Sequence, residues 1–121
     1  MTYAFENLTV WQKSREFVKA IYLVTSDYPR EERFGLISQL RRASVSVSSN
    51  IAEGSCRWSK KEQARFYEIA YGSLIEVLNQ LIISVDLSFI PDSKLVEIRP
   101  SIETLSRMIT KLQKMAKNGA S

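Results

Sequence analysis

Between Arg33 and Arg65 the chain gathers Arg33, Arg41, Arg42, Arg57, Lys60, Lys61 and Arg65 against only Glu53 and Glu62, a local balance of +5. Cations concentrated in this way can meet the phosphates of RNA or DNA, which makes Arg41, Arg42, Arg57, Lys60, Lys61 and Arg65 candidate nucleic-acid contacts. The rest of the chain carries ten basic and eleven acidic residues, so the net charge of +4 originates in this stretch. Trp58 and Tyr67 lie within it and offer faces on which unpaired bases can stack. A plainer reading competes, in which the stretch is a solvated face whose arginines pair internally, such as Arg65 with Glu62 or Glu68. No helix-turn-helix or zinc-finger signature is present, so binding is expected to be backbone-dominated and to weaken steeply with salt.

Other chemistries find little support. The chain has no histidine, the commonest general base and metal ligand, and its single cysteine, Cys56, cannot form a thiolate cluster. The glutamate and histidine pairs of a di-iron bundle are missing, and Gly35, Gly54, Gly72 and Gly119 are too scattered to form a phosphate-cradling loop. Glu53 lies near a helix end, close along the chain to Arg57, but no second acid, base or nucleophile accompanies it. Asn50 and Glu53 are therefore read as a structural polar corner. The expectation is a non-catalytic protein with no metal and no cofactor.

The elements that must position these groups follow from apolar spacing. Val10, Phe17, Ile21 and Val24, flanked by Trp11, Val18, Tyr22 and Thr25, predict a first helix over about 8–26, ended by Asp27-Tyr28-Pro29. Leu36, Leu40, Ala43, Val47 and Ile51 predict a second over about 31–55. Its segment Ser44-Val45-Ser46-Val47-Ser48 also alternates like a strand, but the helical stripe continues on both sides. Ser59-Lys60-Lys61-Glu62 has the pattern of a capping box and opens a third helix over about 59–89. Leu95, Ile98, Ile102, Leu105, Ile109, Leu112 and Ala116 place the fourth over about 93–117, with Pro100 either kinking it or marking its start near Arg99. A frayed tail is expected from Lys117 to Ser121. Short connections join antiparallel neighbours, so the fold class is all-α: one domain, residues 1–121, an antiparallel up-down-up-down four-helix bundle.

The third helix has more apolar surface than one core stripe needs. Tyr71, Leu74, Ile75, Leu78 and Ile82 are the candidate oligomer interface, because a wide apolar face on a folded domain usually marks an association surface. Cover by neighbouring helices within the monomer is the competing explanation. Apolar runs such as Leu81-Ile82-Ile83 fall far short of the ~20 residues that cross a bilayer, so no membrane association is expected. A lone cysteine and an amino terminus without a secretory signal pattern point to the cytoplasm.

Four segments carry a resemblance: Phe5-Glu6-Asn7-Leu8-Thr9-Val10-Trp11-Gln12, Gly35-Leu36-Ile37-Ser38-Gln39-Leu40-Arg41-Arg42-Ala43, Ser49-Asn50-Ile51-Ala52-Glu53-Gly54, and Arg65-Phe66 with Ala70-Tyr71-Gly72-Ser73-Leu74-Ile75-Glu76. In this order they resemble the four-helix-bundle family encoded in intervening sequences of bacterial 23S ribosomal RNA genes. Accessory variability determinants of diversity-generating retroelements are relatives of that family. The resemblance implies a homo-oligomeric ring or barrel, a pentamer, with a basic character suited to nucleic acid. It also brings in an alternative, a protein-binding scaffold that engages a partner such as a polymerase, since the retroelement relatives engage a reverse transcriptase.

Overall fold

Apolar residues at three- and four-residue spacing resolve into four helices: α1 (Thr9–Thr25), α2 (Leu36–Ser55), α3 (Lys60–Asp86) and α4 (Asp92–Gly119). Single 3-10 turns at Ala4–Asn7 and Arg30–Glu32 precede α1 and α2. The computed structural model describes residues 1–119, and no strand occurs among them. Consecutive helices pack against each other and α4 returns beside α1, forming an all-α antiparallel up-down-up-down four-helix bundle. The α2–α3 and α3–α4 pairs are the most extensively packed, whereas α1 and α4 barely touch. Between them runs an open groove lined by Phe17, Ala20, Val24, Ile98, Ser101 and Leu105.

The predicted stripes make the core, except that Leu36 and Leu112 are only partly buried against it. Val10, Phe17, Ile21 and Val24 of α1, Leu40, Ala43, Val47 and Ile51 of α2, and Leu95, Ile98, Ile102, Leu105, Ile109 and Ala116 of α4 are all buried. From α3 the buried set is Ala64, Tyr67, Ala70, Leu74, Val77 and Leu81, joined by the polar Ser73, Gln80 and Ser84. The serines of α2 do not make a strand. Ser44 donates to the Arg41 carbonyl within the helix at 2.9 Å, and Ser46 reaches across to Ser73 of α3 at 2.8 Å.

Helix ends depart from expectation where local hydrogen bonding decides. The second helix begins at Leu36 rather than near Glu31, since Arg30–Glu32 close a tighter turn and the Glu32 carboxylate then accepts from the Leu36 amide at 3.2 Å. The third stops at Asp86, short of Phe89. Ser88 adopts a left-handed φ of 63°, which lets its amide donate to the Val85 carbonyl and that of Phe89 to the Ser84 carbonyl, each at 2.9 Å. Phe89 then turns back onto Tyr28, with ring centroids 5.7 Å apart. Pro100 neither starts α4 nor divides it; it sits inside the helix, exposed beside the α1–α4 groove. The helix extends to Gly119, so the part of the expected frayed tail up to that residue is helical, and Ala120 and Ser121 lie outside the described residues.

Two helices approach each other closely where α2 ends. A Cβ built on Gly54 would stand 2.8 Å from Cε1 of Tyr67 and 3.0 Å from Cβ of Phe66. Tyr67 is itself buried, so its ring cannot swing away freely. Replacing Gly54 by Val is expected to cost about 2 kcal/mol or more by overpacking. Gly72 of α3 has nothing within 4 Å of the same position, so Gly72→Ala should stabilise by about 0.5–1 kcal/mol through helix propensity. Urea unfolding of both variants checks the pair, and equal effects at the two sites would contradict the packing.

Candidate nucleic-acid interface

The basic turn is short because α2 and α3 both end with their bonds made locally. Backbone amides of Cys56 and Arg57 donate to the carbonyls of Glu53 and Gly54 at 3.1 and 3.2 Å. Ser59 caps α3, its hydroxyl accepting from the Glu62 amide at 3.1 Å. The expected reciprocal half of a capping box does not form, as the Glu62 carboxylate reaches forward to Nε of Arg65 at 2.9 Å. Gln63 closes the turn by donating its side-chain amide to the Arg57 carbonyl at 2.9 Å. Arg57, Trp58, Lys60 and Lys61 are left exposed at the tip. Arg57 stacks on the ring of Phe66 at 4.4 Å while Arg65 approaches it at 5.3 Å, so two guanidiniums are held beside one phenyl group.

A further set of cations joins them that was not among the sequence candidates. The last turn of α4 lies against the first of α3, where a Cβ on Gly119 would be 3.4 Å from Cγ of Lys60. Lys114 and Lys117, both exposed, therefore share an end of the bundle with Arg57, Lys60, Lys61 and Arg65. Cutting the bundle across its middle, the half built from residues 1–17, 46–73 and 106–119 holds ten basic and five acidic residues, a balance of +5. The other half holds seven basic and eight acidic, a balance of −1. The charge is polarised along the bundle axis. The signal that reveals this is antiparallel topology, which brings the end of the fourth helix back to the start of the third.

Along α3, Tyr71 and Leu78 are half-buried while Ile75 and Ile82 are 41% and 39% exposed. Their steps of four, three and four put them on one flank in the manner of a coiled-coil seam. Leu74 must be removed from the candidate interface. It is fully buried, because its position on the helix turns it to the centre of the bundle between α2 and α4. By length and composition α3 is the one helix among the described residues apolar enough to cross a membrane; in the bundle its inner face is core and its outer face carries the isoleucines.

A family model for the 23S rRNA-intervening sequence protein matches residues 6–111, which takes in the turn between α2 and α3 and most of the bundle and stops short of Lys114 and Lys117. The chain belongs to that family. Its fold is also similar to the crystal structure of a protein of unknown function from the S23 ribosomal protein family of Bacteroides thetaiotaomicron, with a TM-score of 0.78 at 20% identity, covering 88% of this chain and 99% of that one. No curated protein is significantly similar to the chain.

Not every candidate in this intervening-sequence protein reaches the basic end. Arg41 is committed elsewhere: Nε donates to the buried Thr25 hydroxyl at 2.9 Å, Nη2 to the Tyr22 carbonyl at 3.3 Å, and the guanidinium lies 4.5 Å from the Tyr22 ring. It joins α2 to the end of α1, about 24 Å along the helix from Arg57. Arg42 is exposed and lines a shallow depression with Gln39, Ser46 and Glu76, also away from the tip. Tyr67 is withdrawn as a stacking platform, since it is buried beneath Gly54; burial, reinforced by Cys56, pushes its phenol pKa up. Asn50 donates to the Ser46 carbonyl at 2.8 Å and hydroxyl at 3.0 Å, bracing its own helix rather than a corner. Glu53 is exposed and takes no part in that network. Cys56 is exposed, and no group of three potential metal ligands occurs among the described residues.

The contrast between neighbouring arginines is testable. Arg41→Ala should lower the unfolding free energy by about 1–2 kcal/mol through loss of its hydrogen bonds. Arg42→Ala should stay within about 0.5 kcal/mol of the parent, and chemical denaturation of the two variants measures the difference.

Proposed function

We propose that this member of the 23S rRNA-intervening sequence protein family is a non-catalytic, homo-oligomeric nucleic-acid-binding accessory protein of the bacterial cytoplasm. The observation that carries the reading is the convergence of Arg57, Lys60, Lys61, Lys114 and Lys117 at one end of the bundle, all exposed. None of them forms an ion pair among the described residues, and Arg65 beside them is held by a solvent-exposed pair with Glu62 that contributes little. Free cations of this kind release counterions when they meet phosphates, which favours backbone contact without base reading. The family's description names a 23S rRNA-intervening sequence, and an RNA ligand accords with that name.

Titration of fluorescent RNA and DNA at several salt concentrations tests this. With four to six phosphates engaged, log K should fall with log salt at a slope of about −3 to −4 on single strands. Charge reversal at Arg57, Lys60 and Lys61 should flatten that slope by about 2 and weaken binding of every sequence alike. Absence of binding at low salt, or an unchanged slope in the reversed variant, refutes the proposal.

The seam of Tyr71, Ile75, Leu78 and Ile82 supports the oligomeric part of the reading, with the open α1–α4 groove, whose lining mixes apolar residues with Asp27, Lys94 and Glu97, as the complementary surface on a second copy. Two different surfaces meeting head to tail generate a closed ring when the rotation between copies closes, and the family resemblance suggests five subunits. Ile75→Glu with Ile82→Glu should reduce the mass measured by light scattering to a single chain while the helical signal is kept. A parent protein that is already a single chain across the micromolar range excludes the ring and turns the exposed seam into evidence for the scaffold reading.

A further inference from the structure

Trp58 is fully exposed, at the tip of the turn between α2 and α3. The other tryptophan shows what a structural indole does in this fold: Trp11 packs edge-on against Phe5 with centroids 5.0 Å apart and carries Arg15 at 5.5 Å from its ring. Trp58 makes no aromatic or cation–π contact among the described residues. Its large apolar faces therefore contribute nothing to the core and cost exposure to water. It is also flanked by cations, with Arg57 before it and Lys60 and Lys61 just after Ser59.

We propose that Trp58 is a stacking platform for an unpaired base, so that the ligand of the basic end is single-stranded or bulged nucleic acid rather than regular duplex. This rests on the nucleic-acid reading above and specifies the class of ligand. The physical reason is access. In a regular duplex the base faces are covered by their neighbours, and only the phosphates are available to the tip. To engage the indole, a duplex would have to be unstacked, at a cost of a few kcal/mol per step. In a single strand a base face is already free, and the phosphates on either side of the stacked nucleotide fall to Arg57, Lys60 and Lys61. Arg57 is steadied for this by the Phe66 ring at 4.4 Å and leaves its guanidinium edge open to solvent. Stacking is tolerant of base identity because every base has a π-face.

The test compares a mixed-sequence single-stranded RNA of about 15 nucleotides, its DNA counterpart and the two corresponding duplexes, by anisotropy at one low salt concentration. The parent should favour the single strands. Trp58→Ala should weaken single-strand binding by about 5- to 150-fold and leave duplex binding unchanged, while Trp58→Tyr restores most of the loss. In a Trp11→Phe background, the remaining Trp58 fluorescence should be quenched on saturation with single strands alone. Equal loss on single strands and duplexes, no loss on either, or a change of oligomeric mass in Trp58→Ala overturns the inference. If the parent binds none of the four ligands, the nucleic-acid reading itself falls; if it binds all alike and Trp58→Ala behaves as the parent, only the stacking platform falls.

Discussion

The contact on which the rest of the bundle depends is the approach of Gly54 to the ring of Tyr67. A side chain at position 54 would push α2 and α3 apart just where the chain reverses. Without one, the helices meet closely enough for Ser46 to bond Ser73, and for the side-chain amide of Gln80 to donate to Gln39 at 3.3 Å farther along the same interface. Close packing at the end also fixes the length of the turn. Cys56 to Ser59 are all exposed, and Arg57, Trp58 and the first residues of α3 are displayed outward on a turn closed by local hydrogen bonds. Rigidity matters for binding, since side chains on a short, locally bonded turn lose less conformational freedom than those on a long loop.

The core was legible because burial repeats with the helix. Val10, Phe17, Ile21 and Val24 recur at three, four and seven, and no tertiary information is needed to see that they share a face. The periodicity cannot say which face of a helix with apolar residues around most of its circumference turns inward. That is why Leu74, read as surface, is core, while Ile75 beside it remains exposed. Helix ends were less legible for a different reason. They turn on single hydrogen bonds, such as Glu32 capping α2 or Ser88 accepting a left-handed backbone, that compete nearly evenly with one more helical turn.

The candidate site was half legible. Counting charge along the chain locates Arg57, Lys60 and Lys61 but treats Arg41 as their equal, because it takes no account of partners. In the fold Arg41 is spent on Thr25 and Tyr22, and the free cations that accompany the turn come instead from α4. Lys114 and Lys117 are more than fifty positions from Lys61 in the chain and become its neighbours only through the antiparallel return of the last helix. A serviceable rule follows: charge in a helical bundle is better summed by end than by segment.

The two proposed surfaces are compatible because they occupy different parts of the bundle. The apolar seam lies along the flank of α3, whereas the cations and Trp58 crown its amino-terminal end, so subunits can join side by side without covering the tip. In a ring with cyclic symmetry every tip then lies on the same rim. A strand held weakly at one tip meets the next at high effective concentration, and the gain in affinity comes from geometry rather than from new contacts. A ring that binds through its rim therefore needs only a modest site on each subunit, of the kind that a few unpaired cations and one exposed indole provide.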